Sequence, residues 1–294
     1  MNNTVAGEIE RKPAYAIVFG CIMAIGLPLN AVSLWTLLRH HRLKSSTAVF
    51  MVNLAMSDLL LVISLPMRVY FYATGTWPLS AAACWSVTML FRNNIRSSSI
   101  FITFISVDRL LAVVYPLRSR HLRTLSHAWK AVALVWLFVL VVNIPEIVAF
   151  SKNASNNGSY CFELRHDLGT LSSAMVYFQL VLVLTLLAVI VVCTVMVSWT
   201  LHRHLNDSAR VNNKVNAMLI FVMNLVMFTI CFLPASVGLL KVNKFDLTPF
   251  ICLATLNCCL DPLLYYFSLD AFWKKKEDAD IAREHVASDF PYNF

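Results

Sequence analysis

The sequence predicts an all-α membrane protein: a seven-transmembrane helix bundle with a short interfacial helix after the seventh span. Three observations predict it. The 294 residues are 59% hydrophobic and only 14% charged, against about 25% charged in soluble domains. Seven apolar stretches run over residues 14–38, 48–73, 85–114, 129–150, 172–200, 216–240 and 247–267, each long enough to cross a bilayer at about 20 residues per crossing. Basic residues crowd one side of these stretches, as the positive-inside rule requires of cytoplasmic loops.

The elements follow in order. Residues 1–13 form a polar N-terminus, and MNNTVAGEIERKPAY lacks the apolar core of a cleavable signal. Span one is therefore expected to serve as its own insertion signal; it carries Asn30, at the end of GLPLN. Span two carries Asp58, at the end of NLAMSD, and Arg68, just past Pro66. Span three contains FRNNIRSSSIF, with Arg92, Asn94, Arg96 and Ser98, and ends near Asp108–Arg109 in ISVDRLLAVVYPL. Span four has Trp136 and the pair Pro145–Glu146, span five is a long apolar run, and span six holds CFLP at 231–234. Span seven closes with NCCLDPLLYYF at 257–267. Beyond it, SLDAFWKKKEDAD sets Phe267, Leu269, Phe272 and Trp273 beside a lysine run, the pattern of an amphipathic helix lying in the interface; the competing reading is a solvated tail. The chain thus divides into an extracellular N-terminus (1–13), a seven-span domain (14–267), and an interfacial helix with cytoplasmic tail (268–294).

Orientation rests on charge. Arg39, Arg42, Lys44, Arg118, Arg120, Arg123, Lys130, Arg203, Arg210, Lys214, Lys274, Lys275 and Lys276 flank one side; Arg11, Lys12, Lys152, Arg165, Lys241 and Lys244 flank the other. Thirteen against six makes the first side cytoplasmic and the N-terminus extracellular. The net charge of +8 reflects these loops and gives no reason to expect nucleic acid as a partner. The glycosylation pattern N-x-[ST] falls at Asn2, Asn153 and Asn157, all on the outer side. Six cysteines lie within spans; only Cys84 and Cys161 reach the oxidising side, and they are expected to form a disulfide.

GLPLN, NLAMSD, SVDRLLAVVYPL, Trp136, CFLP and LDPLLYYF occur in order, one per span, with Cys84 and Cys161 in place. Together they resemble a rhodopsin-like (class A) G-protein-coupled receptor over nearly the whole chain. LPMRVYFYATGTWPL, SVDRLLAVVYPLRSRHLRT and YCFE resemble its purinergic-like branch, and within that the lysophosphatidic acid receptors of types six and five. The resemblance implies that Asp108, Arg109, Asp261, Pro262 and Tyr265 serve G-protein activation. It also implies a polar pocket of Asp58, Asn94, Ser98, Asn257 and Asp261, which in this family often holds a sodium ion. Two carboxylates in a dry bundle repel, and a cation with neutral oxygens relieves that; protonated carboxyls bonded to asparagine and water are the alternative. No other cofactor is implied. Four departures stand out: Leu110 follows Asp-Arg in place of tyrosine, Lys214 stands where an acidic residue often clamps Arg109, Phe232 replaces a tryptophan, and Leu186 occupies the usual site of the span-five proline.

Charged residues inside a span mark functional sites by default, because each costs roughly 3 kcal/mol or more. At about 1.5 Å per residue, Arg96 lies about 20 Å and Arg92 about 26 Å from the level of Arg109. That places Arg92 in the outer half of span three, with Arg96 on the same face one turn deeper. Arg68 sits at a similar outer level; LPxR also matches the lysophosphatidic acid receptors, whereas Arg92 and Arg96 match no family motif. Glu146 is expected to neutralise one of the three guanidiniums. The excess points to an anionic ligand, since the guanidinium fork binds phosphate bidentately. The competing reading pairs Arg92 with Glu146 and Arg96 with backbone carbonyls, both as bundle architecture. Lys241 and Arg165 are placed at the outer rim, with Tyr70, Tyr72, Trp77, Phe91, Tyr177 and Phe178 as apolar walls. The reading is a plasma-membrane receptor for an acidic lipid, lysophosphatidic acid foremost, coupled to heterotrimeric G proteins with G12/13 favoured. A nucleotide or small-carboxylate receptor is the alternative. A retinal protein is excluded because span seven has no lysine for a Schiff base. A transporter is disfavoured by the lack of an internal repeat, and an enzyme by the lack of a nucleophile–base or metal constellation.

Overall fold

The computed structural model describes residues 12–39, 43, 45–153, 169–203, 211–241 and 246–265. Each predicted span is helical. Spans one to five are Pro13–Arg39, Ser46–Thr74, Ala81–Val114, Leu125–Asn153 and Gly169–Arg203. Span six runs from Val211–Met227 through a π-helical turn, Phe228–Phe232, to Leu233–Gly238 and a closing 3-10 turn, Leu239–Lys241. Span seven is Thr248–Tyr265. All seven are long and apolar enough to cross a membrane, and no strand occurs among the described residues.

Several helices outrun their apolar stretches because polar residues cap them. Ser45 accepts from the Ala48 N–H at 3.2 Å and Ser80 from the Ala83 N–H at 3.3 Å, which satisfies amides that the helix itself leaves free. Gly75 closes span two in the left-handed region at φ 73°, its N–H bonded to the Phe71 carbonyl, a conformation glycine adopts without a side-chain clash. Pro28, Pro66 and Pro145 sit inside helices, each removing one backbone hydrogen bond. Span five has no proline and runs unbroken for 35 residues.

Span three is the axis. Phe101, Ile102 and Ile105 are fully buried, while Ile17, Val32, Leu134, Leu137, Val181 and Val192 on other spans face outward. Such an outward apolar surface is what hydrocarbon requires. The spans are tied by a few polar bonds, as expected where lipid gives no hydrophobic drive between helices. Asn30 donates to the Cys258 carbonyl at 2.6 Å, joining spans one and seven. Trp136 Nε1 donates to Asn53 at 3.0 Å, joining four and two. Asn224 donates to Ser106 Oγ at 2.8 Å, joining six and three. Beyond the apolar stretches, Lys12 pairs with Asp246 at 2.7 Å and its backbone N–H bonds to the Tyr72 carbonyl, clasping together the starts of spans one and seven and the last turn of span two.

Cys84 is disulfide-bonded; its expected partner Cys161 lies outside the described residues, as do Arg165, Asn2, Asn157 and the interfacial helix. Asn153 ends span four and Lys241 ends span six.

Candidate ligand site and signalling core

Arg92 and Arg96, one turn apart on span three, both reach Glu146 on span four. Arg92 Nη1 donates to Oε2 at 2.8 Å and Arg96 Nη2 to Oε1 at 2.6 Å. One carboxylate therefore bridges two guanidiniums, where the sequence predicted that it would neutralise one. The two sit on one helical face and Glu146 stands opposite both. Arg96 is buried and further bonded: Nη1 donates to Asn143 Oδ1 at 3.0 Å and Nε to Gln179 Oε1 at 3.2 Å. Its partners are side chains of spans four and five rather than the backbone carbonyls of the competing reading. Asn143 lies three residues before Glu146 and so shares its face.

Arg92 differs. Its side chain is 33% exposed, and among the described residues it donates only to Glu146. Most of the five N–H donors of a guanidinium are therefore open at this position. The Gln179 Nε2 amide is buried with no hydrogen-bond partner, beside the oxygen that holds Arg96. Arg68 comes from span two, is buried, and stacks over Phe91 with its guanidinium carbon 4.8 Å from the ring centroid. Arg92 stands close enough to both Arg68 and Arg96 for their like charges to repel. Three cations from two helices thus converge, with Glu146 among them.

The expected wall residues divide. Tyr72 and Phe91 are buried, Tyr72 stacking on Phe19 at 5.5 Å. Tyr70, Tyr177 and Phe178 are exposed.

Sequence reasoning missed Asn143 and Gln179. The signal was available, since Gln179 interrupts the apolar run YFQLVLV. A neutral amide costs less in a span than a charge and attracts less notice.

Deeper in the bundle, Asn94 Nδ2 donates to Asp58 Oδ1 at 2.9 Å, with Ser98 Oγ 3.4 Å from the same oxygen. Asn257 Nδ2 donates to Asp261 Oδ2 at 2.6 Å. The Asp58 and Asp261 carboxyls lie within hydrogen-bonding reach of each other; with both ionised, Asp58 Oδ2, Asp261 Oδ1, Asn94 Oδ1 and Asn257 Oδ1 are buried without a donor. Four buried acceptors lacking donors suit a hard cation, which takes oxygen ligands. The expected pocket residues thus offer oxygen atoms of the kind a sodium ion takes.

At the end of span three that carries Asp108–Arg109, Asp108 is held by three residues. Ser46 Oγ donates to it at 2.6 Å, Thr47 Oγ1 donates to its other oxygen, and Arg123 donates through Nε at 3.0 Å and Nη2 at 3.2 Å. Arg109, next in sequence, has no ion pair among the described residues, and its Nε is buried without a partner. Lys214, in the place of an acidic clamp, lies on span six. Tyr265 is buried with its hydroxyl unbonded, one turn after Asp261 and Pro262. The role of Arg123 was not legible, because a loop arginine reads as an orientation signal.

The chain resembles known proteins over most of its length. Residues 29–265 match the family described as 7 transmembrane receptor (rhodopsin family). The chain is 36% identical to lysophosphatidic acid receptor 5 of Bos taurus over 282 residues, covering 88% of this chain and 76% of that one. It is 32% identical to lysophosphatidic acid receptor 6 of Mus musculus over 278 residues, at 87% and 80% coverage. It is 34% identical to lysophosphatidic acid receptor 4 of Homo sapiens over 293 residues, at 93% and 79% coverage.

Proposed function

The chain belongs to the rhodopsin family of seven-transmembrane receptors, and from that premise we propose that it is a plasma-membrane receptor for lysophosphatidic acid or a closely similar acidic lysolipid, signalling through heterotrimeric G proteins of the G12/13 type. It is a receptor, not an enzyme. The observation that carries the ligand class is the arginine cluster: Arg92 and Arg96 share one carboxylate, and Arg92 keeps open donors on a half-buried side chain. A net positive site inside an apolar bundle favours an anion that brings its own apolar chain, as a lysophospholipid does. The relatives that the chain resembles are named for that ligand, which supports the same reading. Lys241 and Arg165 at the outer rim are proposed to steer the headgroup inward, with the N-terminus extracellular.

Signalling follows from the other end of span three. Agonist favours a state in which the inner end of span six moves away and Arg109 meets the G protein. Asp58, Asn94, Ser98, Asn257 and Asp261 would hold a sodium ion in the resting state, where it supplies the positive charge that two facing carboxylates lack.

The test is G-protein activation in cells expressing the receptor, across lysophosphatidic acid, other acidic lysolipids, nucleotides and small carboxylates. Lysophosphatidic acid is expected to activate it, and Arg92→Ala to raise the half-maximal concentration at least tenfold, about 1.4 kcal/mol, at matched surface expression. Activation by a nucleotide or a carboxylate alone would overturn the lipid assignment.

A further inference from the structure

The two arginines of span three do different work, and Glu146 divides it. Arg96 is buried, and all three of its nitrogens are bonded, to Glu146, Asn143 and Gln179. Releasing a buried, hydrogen-bonded ion pair leaves an uncompensated charge and is strongly unfavourable. A ligand therefore gains little by competing for Arg96. Arg92 spends one donor on the opposite oxygen of the same carboxylate and keeps an exposed side. The unpartnered Gln179 amide, buried beside this cluster, adds a neutral donor.

We propose that Glu146 is the internal counter-ion of the ligand site and sets its selectivity by headgroup charge. Arg96 is the positioning residue: it anchors Glu146, which in turn holds Arg92. Arg92 is the headgroup contact. The inference rests on the acidic-lysolipid reading and deepens it. Glu146 stays in place when ligand binds and opposes every incoming anion. The energy of that opposition scales with the charge of the anion. Two charges on a phosphomonoester, whose second pKa is about 6, feel it twice as strongly as the one charge of a phosphodiester. Removing the Glu146 charge while keeping its shape should therefore improve both ligands unequally. The fold-gain for the dianion should be about the square of that for the monoanion.

The experiment compares oleoyl lysophosphatidic acid with its methyl phosphodiester on the wild-type receptor and on Glu146→Gln, at matched surface expression. The half-maximal concentration is expected to fall at least tenfold for the monoester and about threefold for the diester. Glu146→Asp, which keeps the charge, should retain the wild-type ratio. Equal shifts for the two lipids, no shift, or a loss of potency for both would overturn the role of Glu146 while leaving the lysolipid reading intact. A wild-type receptor that answers neither lipid would overturn that reading and this inference with it. Should Glu146→Gln fail to reach the surface, Arg92→Gln carries the test in reverse. It leaves the Arg96–Glu146 pair whole and must weaken the monoester by about the square of its effect on the diester; equal weakening overturns the proposal.

Discussion

Arg96 and Arg92 carry the same group four residues apart, yet removal of each has a different expected result. Arg96→Ala strips Asn143 and Gln179 of their donor and leaves Glu146 with a single partner. Breaking such a buried network costs about 3–5 kcal/mol, so the variant should be lost mainly from the cell surface, read by antibody staining of intact cells. Arg92→Ala should reach the surface and lose ligand potency instead. Charge in an apolar span made both residues, and Glu146, conspicuous in the sequence. What was not legible was which nitrogen goes to which oxygen, because that depends on helix phase and on neutral amides with no charge to betray them. The same holds at the inner end. Asp108–Arg109 is plain in the sequence, but that Arg123 occupies Asp108 depends on how the loop after span three folds back. With Asp108 so engaged, its pull on Arg109 is weakened. Arg123→Ala should free Asp108 to restrain Arg109 and lower ligand-independent G-protein activation about two- to fivefold, the scale of a partly exposed pair at up to about 1 kcal/mol. Unchanged or raised basal activity would show that Arg123 does not compete with Arg109.

Span six shows what hydropathy reads at the level of an element and what it misses. Its length and position were evident from the apolar run. Its π-helical turn, Phe228–Phe232, just ahead of Pro234, was not, since one turn of wider pitch leaves no periodic trace. Such turns are frequent at functional sites, and this one lies between the arginine cluster and the end of span six proposed above to move. One turn before it, Asn224 is fully buried, bonded to Ser106 through Nδ2, with Oδ1 unpartnered. The bond contributes about 1 kcal/mol net, whereas an orphaned buried acceptor costs about 1–3 kcal/mol. Ser106 Oγ keeps its own bond to the Ile102 carbonyl without Asn224. Asn224→Leu is therefore expected to raise the thermal midpoint of the purified receptor and to reduce basal signalling by favouring the packing described. A lower midpoint would mean that Oδ1 is satisfied, for instance by water. Spans one and seven meet equally closely: a Cβ on Gly26 would sit 3.1 Å from Cys258 Sγ and 3.4 Å from Val62 Cγ2. Gly26→Val should destabilise by about 1–3 kcal/mol through overpacking, measurable as a lower midpoint in the same assay.

Across the whole molecule, polar groups link the two faces. The outer clasp is the exposed one. Burial pushes the Asp246 carboxyl up, but the Lys12 and Thr248 hydrogen bonds outweigh it and hold Asp246 below the usual carboxylate range. The Asp246 hydrogen bond raises Lys12 above 10.5, against a smaller desolvation effect. A depressed acid stabilises above its unfolded pKa of about 3.9 and loses that as pH falls through its folded value; a raised lysine loses its contribution only as pH rises through its own. The clasp is thus intact from about pH 5 to 9, and agonist potency at pH 6 should not depend on it: Asp246→Asn and wild type should shift together between pH 7.4 and 6. Midway between the faces lie Asp58 and Asp261, with their unpartnered oxygens. That two carboxylates lie inside spans was legible because charge there stands out, and the resemblance supplied the other expected members; the orphaned acceptors emerged only from the packing of spans two, three and seven. The sodium ion proposed there would bind one packing of the bundle and so stabilise it by mass action. Any agonist that favours another packing must then oppose sodium, because coupling between two sites is reciprocal. Replacing N-methylglucamine by sodium at constant ionic strength should raise the thermal midpoint of the empty receptor and weaken agonist binding, and Asp58→Asn should abolish both effects together. Agonist affinity that ignores sodium in the wild type would mean that the two carboxyls hold a proton between them, and that the outer site and the G-protein face communicate without an ion.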